Sequence, residues 1–191
     1  MKVFIAEDES LIAEGLRFQL QTVGYEVVGM VNDGNAVLTG VQATQPDVVL
    51  MDINIPGIGG LEAARLLTEY CPVAVVILTG YNDSELVREA ADIGVEAYLV
   101  KPVDENDLKP ALELAYANFS RKRQLKEEAT KTRNALAERK LIERAKGLLM
   151  DLKQLSEPEA MAFLQKKSRD SRQKISQVAR EIIEAIKRLE E

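Results

Sequence analysis

Apolar residues in the first 120 positions occur as short runs that are separated by stretches with helical spacing. The runs predict five strands, which span residues 2–6, 25–31, 47–52, 73–79 and 96–100. Between the runs, apolar residues recur at roughly helical spacing, as do Leu11, Leu16 and Leu20. Strands that alternate with helices predict a parallel sheet with helices packed on its two faces.

Two of the predicted strands are apolar without alternation, at residues 48–51 and 73–78. This pattern is typical of strands that are buried on both faces. The first 120 residues therefore predict an α/β domain built on a five-stranded, parallel, doubly wound sheet. In such a sheet the functional site lies beyond the carboxyl ends of the strands.

After about residue 104 the strand pattern stops, and the chain reads as helix to its end. The last helix of the α/β domain is marked by Leu108, Leu112, Ala115 and Phe119. Pro110 lies near the predicted start of this helix, where a missing backbone donor is best tolerated.

Residues 121–138 are highly charged, and their apolar positions are sparse, chiefly Leu125, Ala129 and Leu136. A stripe this narrow favours a two-stranded coiled coil, although fewer than three heptads make the signal weak. We therefore interpret residues 121–138 as a helical coiled-coil connector between a domain at 1–120 and a second domain at 139–191.

The second domain is predicted to be a small three-helix bundle. Its first helix widens the apolar stripe at Leu141, Ala145 and Leu149. Residues 156–159, Ser-Glu-Pro-Glu, form a capping-box pattern that predicts the start of the second helix. The third helix is strongly periodic from Ile175 to Leu189.

The net charge of −6 conceals a division along the chain. Residues 1–120 hold 6 Lys and Arg against 19 Asp and Glu, whereas residues 121–191 hold 19 against 12. An acidic domain joined to a basic one suggests that the second domain meets a polyanion. On charge alone, a solvated basic surface without a ligand is an equally good interpretation.

Composition removes several classes of function. The single cysteine, Cys71, rules out an intramolecular disulfide, and the chain has no histidine, the commonest zinc ligand and general base. Serine–histidine, cysteine–histidine and zinc hydrolases are therefore excluded. No apolar run approaches the roughly 18 residues needed to span a membrane, and the N-terminus lacks a secretory signal. We expect a cytoplasmic protein without a membrane partner.

Five polar residues follow or end the predicted strands: Glu7, Asp8, Asp52, Thr79 and Lys101. The carboxyl ends of parallel strands meet at one edge of a sheet, where these side chains can converge. Three carboxylates repel one another unless a hard divalent cation such as Mg²⁺ lies among them. A carboxylate placed there can act as a nucleophile toward a phosphoryl group, while a lysine neutralises the developing charge.

Residues 1 to about 120 resemble the receiver domain of two-component response regulators, which has a flavodoxin-like fold. The matching stretches are Ala6-Glu7-Asp8-Glu9, Met51-Asp52-Ile53-Asn54-Ile55-Pro56-Gly57, Ile77-Leu78-Thr79-Gly80 and Tyr98-Leu99-Val100-Lys101-Pro102. The resemblance implies that a sensor histidine kinase phosphorylates Asp52. It also implies that Asp8, Asp52 and the Asn54 backbone carbonyl bind Mg²⁺ directly, with Glu7 acting through water.

The same resemblance assigns the remaining residues. Thr79 is expected to hydrogen-bond the phosphoryl group and Lys101 to pair with it. Tyr98 matches the switch aromatic, which turns inward when Thr79 moves toward the phosphate. The peptide bond before Pro102 is implied to be cis. Glu7 departs from the family, where Asp is commoner, and its longer arm bears on Mg²⁺ affinity but leaves the charge unchanged.

Residues 135–191 resemble the ANTAR domain, a three-helix RNA-binding module of antitermination proteins that recognises paired hairpin loops in leader transcripts. The matching stretches are residues 138–150, 155–160 and 164–168. The expected RNA-binding residues are basic and lie on the first helix and around the connection between the last two: Arg139, Lys140, Arg144, Lys166, Lys167, Arg169, Arg172 and Lys174. The domain has one aromatic residue, Phe163, which is expected in the core.

The resemblances together imply a response regulator, not an enzyme, that dimerises on phosphorylation and then binds leader RNA. The expected two-state element is the surface of residues 83–119, continuing into the connector. Alternatives are a tail that binds duplex DNA and a tail that only dimerises or docks a protein. About seven polar residues, 168–174, separate the last two apolar stripes, which argues against the tight turn of a helix-turn-helix.

Overall fold

The computed structural model describes the backbone of residues 1–80 and 84–190, without the side chains of residues 84–87, 105 and 188–190. Asp83, where the expected two-state surface begins, and the side chain of Leu189 lie outside this description. Two compact units are present, Met1–Arg123 and Gln124–Glu191.

The first unit contains a five-stranded parallel sheet in the order β2-β1-β3-β4-β5. Its strands are β1 (Lys2–Ala6), β2 (Glu26–Val31), β3 (Val48–Asp52), β4 (Ala74–Thr79) and β5 (Ala97–Val100). The predicted fold is confirmed, and each strand ends at the predicted residue. The strands after β1 start one residue later than predicted.

Helices cover both faces of this sheet. They are α1 (Ser10–Thr22), α2 (Gly34–Thr44), α3 (Gly60–Tyr70), α4 (Ser84–Ile93) and α5 (Glu105–Lys153). Residues from α1 and α5, such as Leu20 and Leu112, pack with one set of strand side chains, and α2, α3 and α4 pack on the other set. Strands β3 and β4 are buried along their whole length, as their unbroken apolar pattern predicts.

Leu11 lies in α1, where the apolar spacing predicted a helix, but not on the buried face of that helix. Leu11 is 88% exposed, whereas Leu16 and Leu20 are buried. A spacing of five residues turns a helix by roughly 500°, so Leu11 points well away from the face that carries Leu16. Spacings of three or four, not five, mark the buried stripe.

Helix α5 is 49 residues long and includes the last helix of the first unit, the connector and the first helix of the second unit. Pro110 lies in its second turn rather than its first. All residues from 121 to 140 are exposed, including Leu125 and Leu136. No helix in the described part of the chain has an apolar stretch long enough to cross a lipid bilayer.

The second unit packs the end of α5 with α6 (Glu157–Ser171) and α7 (Ile175–Glu190). The predicted capping box forms, since the Glu159 carboxylate accepts hydrogen bonds from the backbone N–H of Ser156 at 2.8 Å and from its hydroxyl at 2.6 Å. Phe163 is partly buried against the core formed by Ala145, Leu164 and their neighbours.

The connection between α6 and α7 is shorter than predicted. Helix α6 continues through Ser171, so only Arg172, Gln173 and Lys174 separate the two helices. The polar residues from 168 onward continue a helix whose outer face is solvated, and the helix ends where Arg172 adopts φ 55°. The length of this connection therefore does not argue against a helix-turn-helix.

Candidate functional site

The carboxyl edge of the sheet collects the polar residues that follow the strands. Glu7 and Asp8 follow β1, Asp52 ends β3, and Lys101 follows β5. The backbone N–H of Glu7 donates to the Val31 carbonyl at 3.0 Å, which continues the pairing of β1 with β2 one residue beyond the strand. The parallel ladder thus holds these residues at one end of the sheet, as predicted.

Lys101 lies between two carboxylates. Its Nζ is 2.8 Å from Oε2 of Glu7 and 3.2 Å from Oδ2 of Asp52. The Glu7 side chain is fully buried and that of Asp52 is 7% exposed, so both pairs lie largely out of water. Charges in such an environment interact strongly, and an unpaired charge there would be costly.

The pKa shifts follow from this arrangement. Burial raises the pKa of the Glu7 carboxyl, and the charge of Asp52 also raises it, while the hydrogen bond from Lys101 opposes both. Burial alone would lower the pKa of the Lys101 ammonium. The hydrogen bond to Glu7 and the charges of Asp52 and Glu7 outweigh burial, so this pKa lies above its ordinary value. Lys101 therefore remains a cation at neutral pH.

Three carboxylates are close enough to share one cation. Glu7, Asp8 and Asp52 each offer an oxygen, and the three oxygens lie within 4.8 Å of one another. Asp8 is exposed, whereas Glu7 and Asp52 are buried, so one side of the cluster is open to solvent. An all-oxygen cluster with an open side suits Mg²⁺, which keeps several of its waters when bound.

The remaining predicted residues occupy neighbouring positions. Thr79 ends β4 and is buried, and its hydroxyl donates to the Gly80 carbonyl at 3.3 Å. Tyr98 lies in β5 with its side chain 54% exposed. Asn54 is exposed in the loop after β3. The peptide bond between Lys101 and Pro102 is cis, as the resemblance implied.

The sequence analysis did not identify Gly60, which packs against the backbone of Asp52. An ideal Cβ at Gly60 would collide with the Asp52 carbonyl oxygen, so the first turn of α3 can approach β3 only without a side chain. The Gly60 N–H also donates to the Ile53 carbonyl at 3.1 Å. The signal in the sequence was three glycines within four residues, Gly57, Gly59 and Gly60.

In the second unit, the eight basic residues predicted to bind RNA are all exposed. Arg139, Lys140 and Arg144 lie on α5, whereas the others lie on α6 or in the connection to α7. Within the part of the chain that the structure describes, none of the eight has an acidic partner within ion-pair distance. Their contact with RNA stays a prediction.

Lys146 was not among the predicted RNA-binding residues and, unlike them, it is buried and has acidic partners. It is 8% exposed, and its Nζ lies 2.7 Å from Glu157 and 3.0 Å from Glu143. The hydrogen bond to Glu157, followed by that to Glu143, raises the pKa of Lys146. Because Glu157 is the first residue of α6, Lys146 ties that helix to α5.

Comparison with known proteins finds similarity in both units of the chain. The model of the response regulator receiver domain matches residues 3–113, and that of the ANTAR domain matches residues 130–183. The transcriptional regulatory protein PdtaR of Mycobacterium tuberculosis is 38% identical over 185 residues, which cover 97% of this chain and 90% of that protein. The positive alginate biosynthesis regulatory protein of Pseudomonas aeruginosa is 41% identical over 118 residues, 60% of this chain and 47% of that protein.

Solved structures resemble the first unit. The receiver domain of a modulated diguanylate cyclase from Desulfovibrio desulfuricans G20 is 31% identical with a TM-score of 0.60, covering 63% of this chain and 97% of that one. A two-component response regulator of the LuxR family from Aurantimonas is 28% identical with a TM-score of 0.57, covering 61% and 85%. The chain therefore belongs to the response regulators that join an N-terminal receiver domain to a C-terminal ANTAR domain, the RNA-binding module of antitermination proteins.

Proposed function

We propose that a sensor histidine kinase phosphorylates Asp52, and that the phosphorylated chain dimerises and binds hairpin loops in leader RNA to promote transcription antitermination. The observation that carries this proposal is the position of Asp52. Its carboxylate ends β3 next to the Lys101 ammonium at 3.2 Å and belongs to the cluster with Glu7 and Asp8. We expect the chain to act in the cytoplasm as a regulator, not as an enzyme.

In the proposed reaction, a carboxylate oxygen of Asp52 forms a bond to phosphorus while the bond from phosphorus to the kinase histidine breaks. Lys101 is already a cation within reach of Asp52 and would neutralise charge on the transferring oxygens. Asp8, Asp52 and the Asn54 carbonyl would hold Mg²⁺ directly, and Glu7 through water. The bound metal would supply further charge neutralisation.

Glu7 has a second role in this arrangement. Its carboxylate lies 2.8 Å from the Lys101 ammonium and gives that cation a second partner beside Asp52. With two partners, the ammonium is fixed before phosphate arrives, so less reorganisation is required during transfer. The longer side chain of Glu7, compared with the commoner Asp, is consistent with this reach.

The proposed response passes from the sheet edge to the surface. The phosphoryl group would attract the Thr79 hydroxyl, and Tyr98, now 54% exposed, would turn inward. The surface of α4, β5 and α5 would then favour pairing with a second copy. Continuing along α5, Leu125 and Leu136 are 60% and 54% exposed, so a paired helix would bury side chains that the single chain leaves in water.

The proposed RNA contact is the basic edge of the second unit, a name we use for the eight predicted RNA-binding residues. These are Arg139, Lys140, Arg144, Lys166, Lys167, Arg169, Arg172 and Lys174. Its cations are exposed and have no acidic partner among the described residues, as expected for side chains that meet phosphates. No tyrosine or tryptophan occurs in residues 139–191 and Phe163 is packed, so bases would stack on arginine planes.

Crosslinking tests the proposal as a whole. RNA would be recovered from cells that carry the wild-type chain or Asp52→Asn. Leader transcripts with two hairpin loops should be enriched with the wild type and depleted with the variant. Competition with excess duplex DNA at fixed salt separates this proposal from a DNA-binding tail, since salt alone changes such affinities by orders of magnitude. Displacement of RNA by duplex DNA would overturn the proposed RNA specificity.

A further inference from the structure

Gly147 lies inside helix α5 at a position where the packing of the chain does not require a glycine. Of the ten glycines whose surroundings the structure defines, four have a positive φ, and a Cβ at four others would press against neighbouring atoms. The two that remain are Gly15 in α1 and Gly147, where a Cβ would meet nothing within 4 Å. Glycine makes a helix less stable than alanine does, because its backbone loses more freedom on folding. The fold therefore leaves Gly147 unexplained.

The missing side chain bares a strip of helix backbone on the outer face of α5. The core residues Ala145 and Leu149 each lie two positions from Gly147, which turns the helix by about 200°. Gly147 therefore faces away from the core of the three-helix bundle. The backbone N–H groups at this point of the helix are used within it, so the strip is flat and offers no free donors.

The charges beside this strip favour a polyanion. Arg144 and Lys140, three and seven residues before the glycine, share its face of the helix and are exposed. Neither has an acidic partner among the described residues. Glu143 also lies on this face, but its carboxylate is 3.0 Å from the Lys146 ammonium, which neutralises it. Asp151 adds one exposed acid, so the two cations outweigh it.

We propose that one unstacked base of an RNA loop lies flat against α5 at Gly147. Arg144 would stack on the base, and Lys140 would neutralise a neighbouring phosphate. A phosphate fits the strip less well, because it needs free donors, whereas a base presents a flat apolar face. The inference rests on the proposed RNA-binding function and deepens it, because it assigns a base to one place beside the basic edge.

A helix of a second copy is the other occupant that a bare strip could accept. In a parallel pair of helices in register, each residue faces its own copy. Lys140 and Arg144 would then approach like charges, which disfavours this pairing around Gly147. The charges therefore favour RNA, and self-association is measured as an outcome of the test.

Substitutions at Gly147 separate RNA contact from folding. Gly147→Ala and Gly147→Leu place a side chain in open space, so the melting temperature of the full chain should not fall. Affinity of the phosphorylated chain would be measured at fixed salt for one-loop hairpins, selected with the wild type from a library with randomised loops. Gly147→Leu should weaken binding about fivefold to a hundredfold, the range expected when contact with one stacked base is lost. Gly147→Ala should weaken it less.

Gly15 supplies the matched control, because it is also a helical glycine with open space around it. Gly15→Ala and Gly15→Leu make the same changes in α1, and both should bind the selected hairpins like the wild type. If Gly15→Leu weakens RNA binding as much as Gly147→Leu does, the loss reflects a general effect of the added leucine, and the base site is overturned.

A signal from the glycine itself locates the base. In the chain labelled with ¹³C at glycine Cα, the Gly147 resonance is identified by its loss in Gly147→Ala. RNA binding should move the Gly147 Hα signals upfield, since protons above the plane of an aromatic base are shielded. Unmoved Gly147 signals in a saturated complex, or an unchanged affinity in Gly147→Leu, would overturn the inference while the proposed RNA function would stand.

Sedimentation velocity of the same variants without RNA tests the other occupant. Self-association should be equal in the wild type and in Gly147→Leu. A loss of self-association in Gly147→Leu would assign the strip to the second copy and overturn the base site. If no hairpin from the library binds the phosphorylated wild-type chain, the proposed function fails and the inference falls with it.

Discussion

The receiver site and the basic edge of the C-terminal unit hold charge in different ways. At the receiver site, Glu7 and Asp52 are buried and share Lys101, so each charge has a fixed partner. On the basic edge, the eight predicted cations are exposed and have no acidic partner among the described residues. A buried, paired site suits chemistry on one small group, and an exposed, unpaired edge suits a long polyanion in salt.

The contrast shows that the surroundings of a charged side chain indicate its function better than the sign of its charge does. Lys101 and Lys146 are both held between two carboxylates, and Lys146 is even less exposed. Lys101 lies where strands end, beside the proposed phosphoacceptor Asp52, whereas Lys146 joins helices α5 and α6. We therefore assign Lys101 to chemistry and Lys146 to structure.

The largest effect is expected at Asp52. Asp52→Asn should abolish labelling by a small phosphodonor in Mg²⁺, since the amide is not a nucleophile toward phosphorus. Among the described residues, only Glu7 also places a carboxylate within ion-pair distance of Lys101. Asp92→Asn, an exposed aspartate on α4, is the matched control and should label normally. Labelling of Asp52→Asn at the wild-type level would mean that another residue is the phosphoacceptor.

The second effect concerns the exposed stripe of α5. Leu125→Glu together with Leu136→Glu should leave labelling intact but reduce affinity for two-loop RNA by about 10² to 10⁴, toward that for one loop. The reason is that paired modules make the second RNA contact intramolecular. Gln124→Glu together with Asn134→Glu adds the same charge at two exposed positions off this stripe and should have little effect. Equal decreases in both double variants would point to general charge repulsion.

A smaller effect is expected on the basic edge itself. Lys166→Gln with Lys167→Gln should weaken RNA binding about tenfold at low salt. It should also reduce the slope of log affinity against log salt by about 0.7 for each phosphate that the lysines no longer neutralise. Filter binding at several salt concentrations measures both. A decrease in affinity that does not depend on salt would show that the two lysines do not bind phosphates.

Lys146 tests the contrast between the two units. It is buried and ion-paired, although it belongs to the unit whose predicted RNA-binding residues are exposed and unpaired among the described residues. Lys146→Met should lower the melting temperature of the chain, since Glu143 and Glu157 lose their shared partner and α6 loses its tie to α5. Lys140→Met, on the exposed face of α5, should leave the melting temperature nearly unchanged. If the two variants melt alike, the ion pairs around Lys146 contribute nothing.

The smallest effect is a pH dependence in the receiver unit. The Tyr25 hydroxyl donates to Glu113 at 3.0 Å, and burial followed by this hydrogen bond raises the pKa of Tyr25 to about 12. A raised pKa means that folding favours the neutral phenol. Its contribution is therefore fully present below pH 10.0 and is lost as pH rises toward about 12.

Absorbance titration of the phenolate band measures this. A fraction of the signal should appear only near pH 12, and Tyr25→Phe should remove it. Tyr70→Phe removes an exposed tyrosine instead and should leave the late phase in place. A late phase that persists in Tyr25→Phe would assign it to another group.

The fold and the receiver cluster could be predicted because both depend on chain order. Unbroken apolar runs indicate buried parallel strands, and residues after such strands must meet at one edge, so Asp52 and Lys101 converge. Gly60 was missed because its role depends on a backbone approach to Asp52 that no periodicity shows.

The C-terminal unit was harder to predict in detail. The connection between α6 and α7 was predicted too long because polar residues on an exposed helix face look like a loop. Lys146 resembled its exposed neighbours in the sequence, since its burial depends on how α6 crosses α5.

The central claim is that phosphate on Asp52 brings two basic modules together. Sedimentation velocity of the full chain, with and without a stable phosphoryl analogue on Asp52, in the presence of two-loop RNA tests it most directly. We predict a monomer without the analogue, and with it a dimer that binds one two-loop RNA far more tightly than one-loop RNA. A phosphorylated monomer that binds two-loop RNA at full strength would contradict the account and favour simple unmasking of the basic edge.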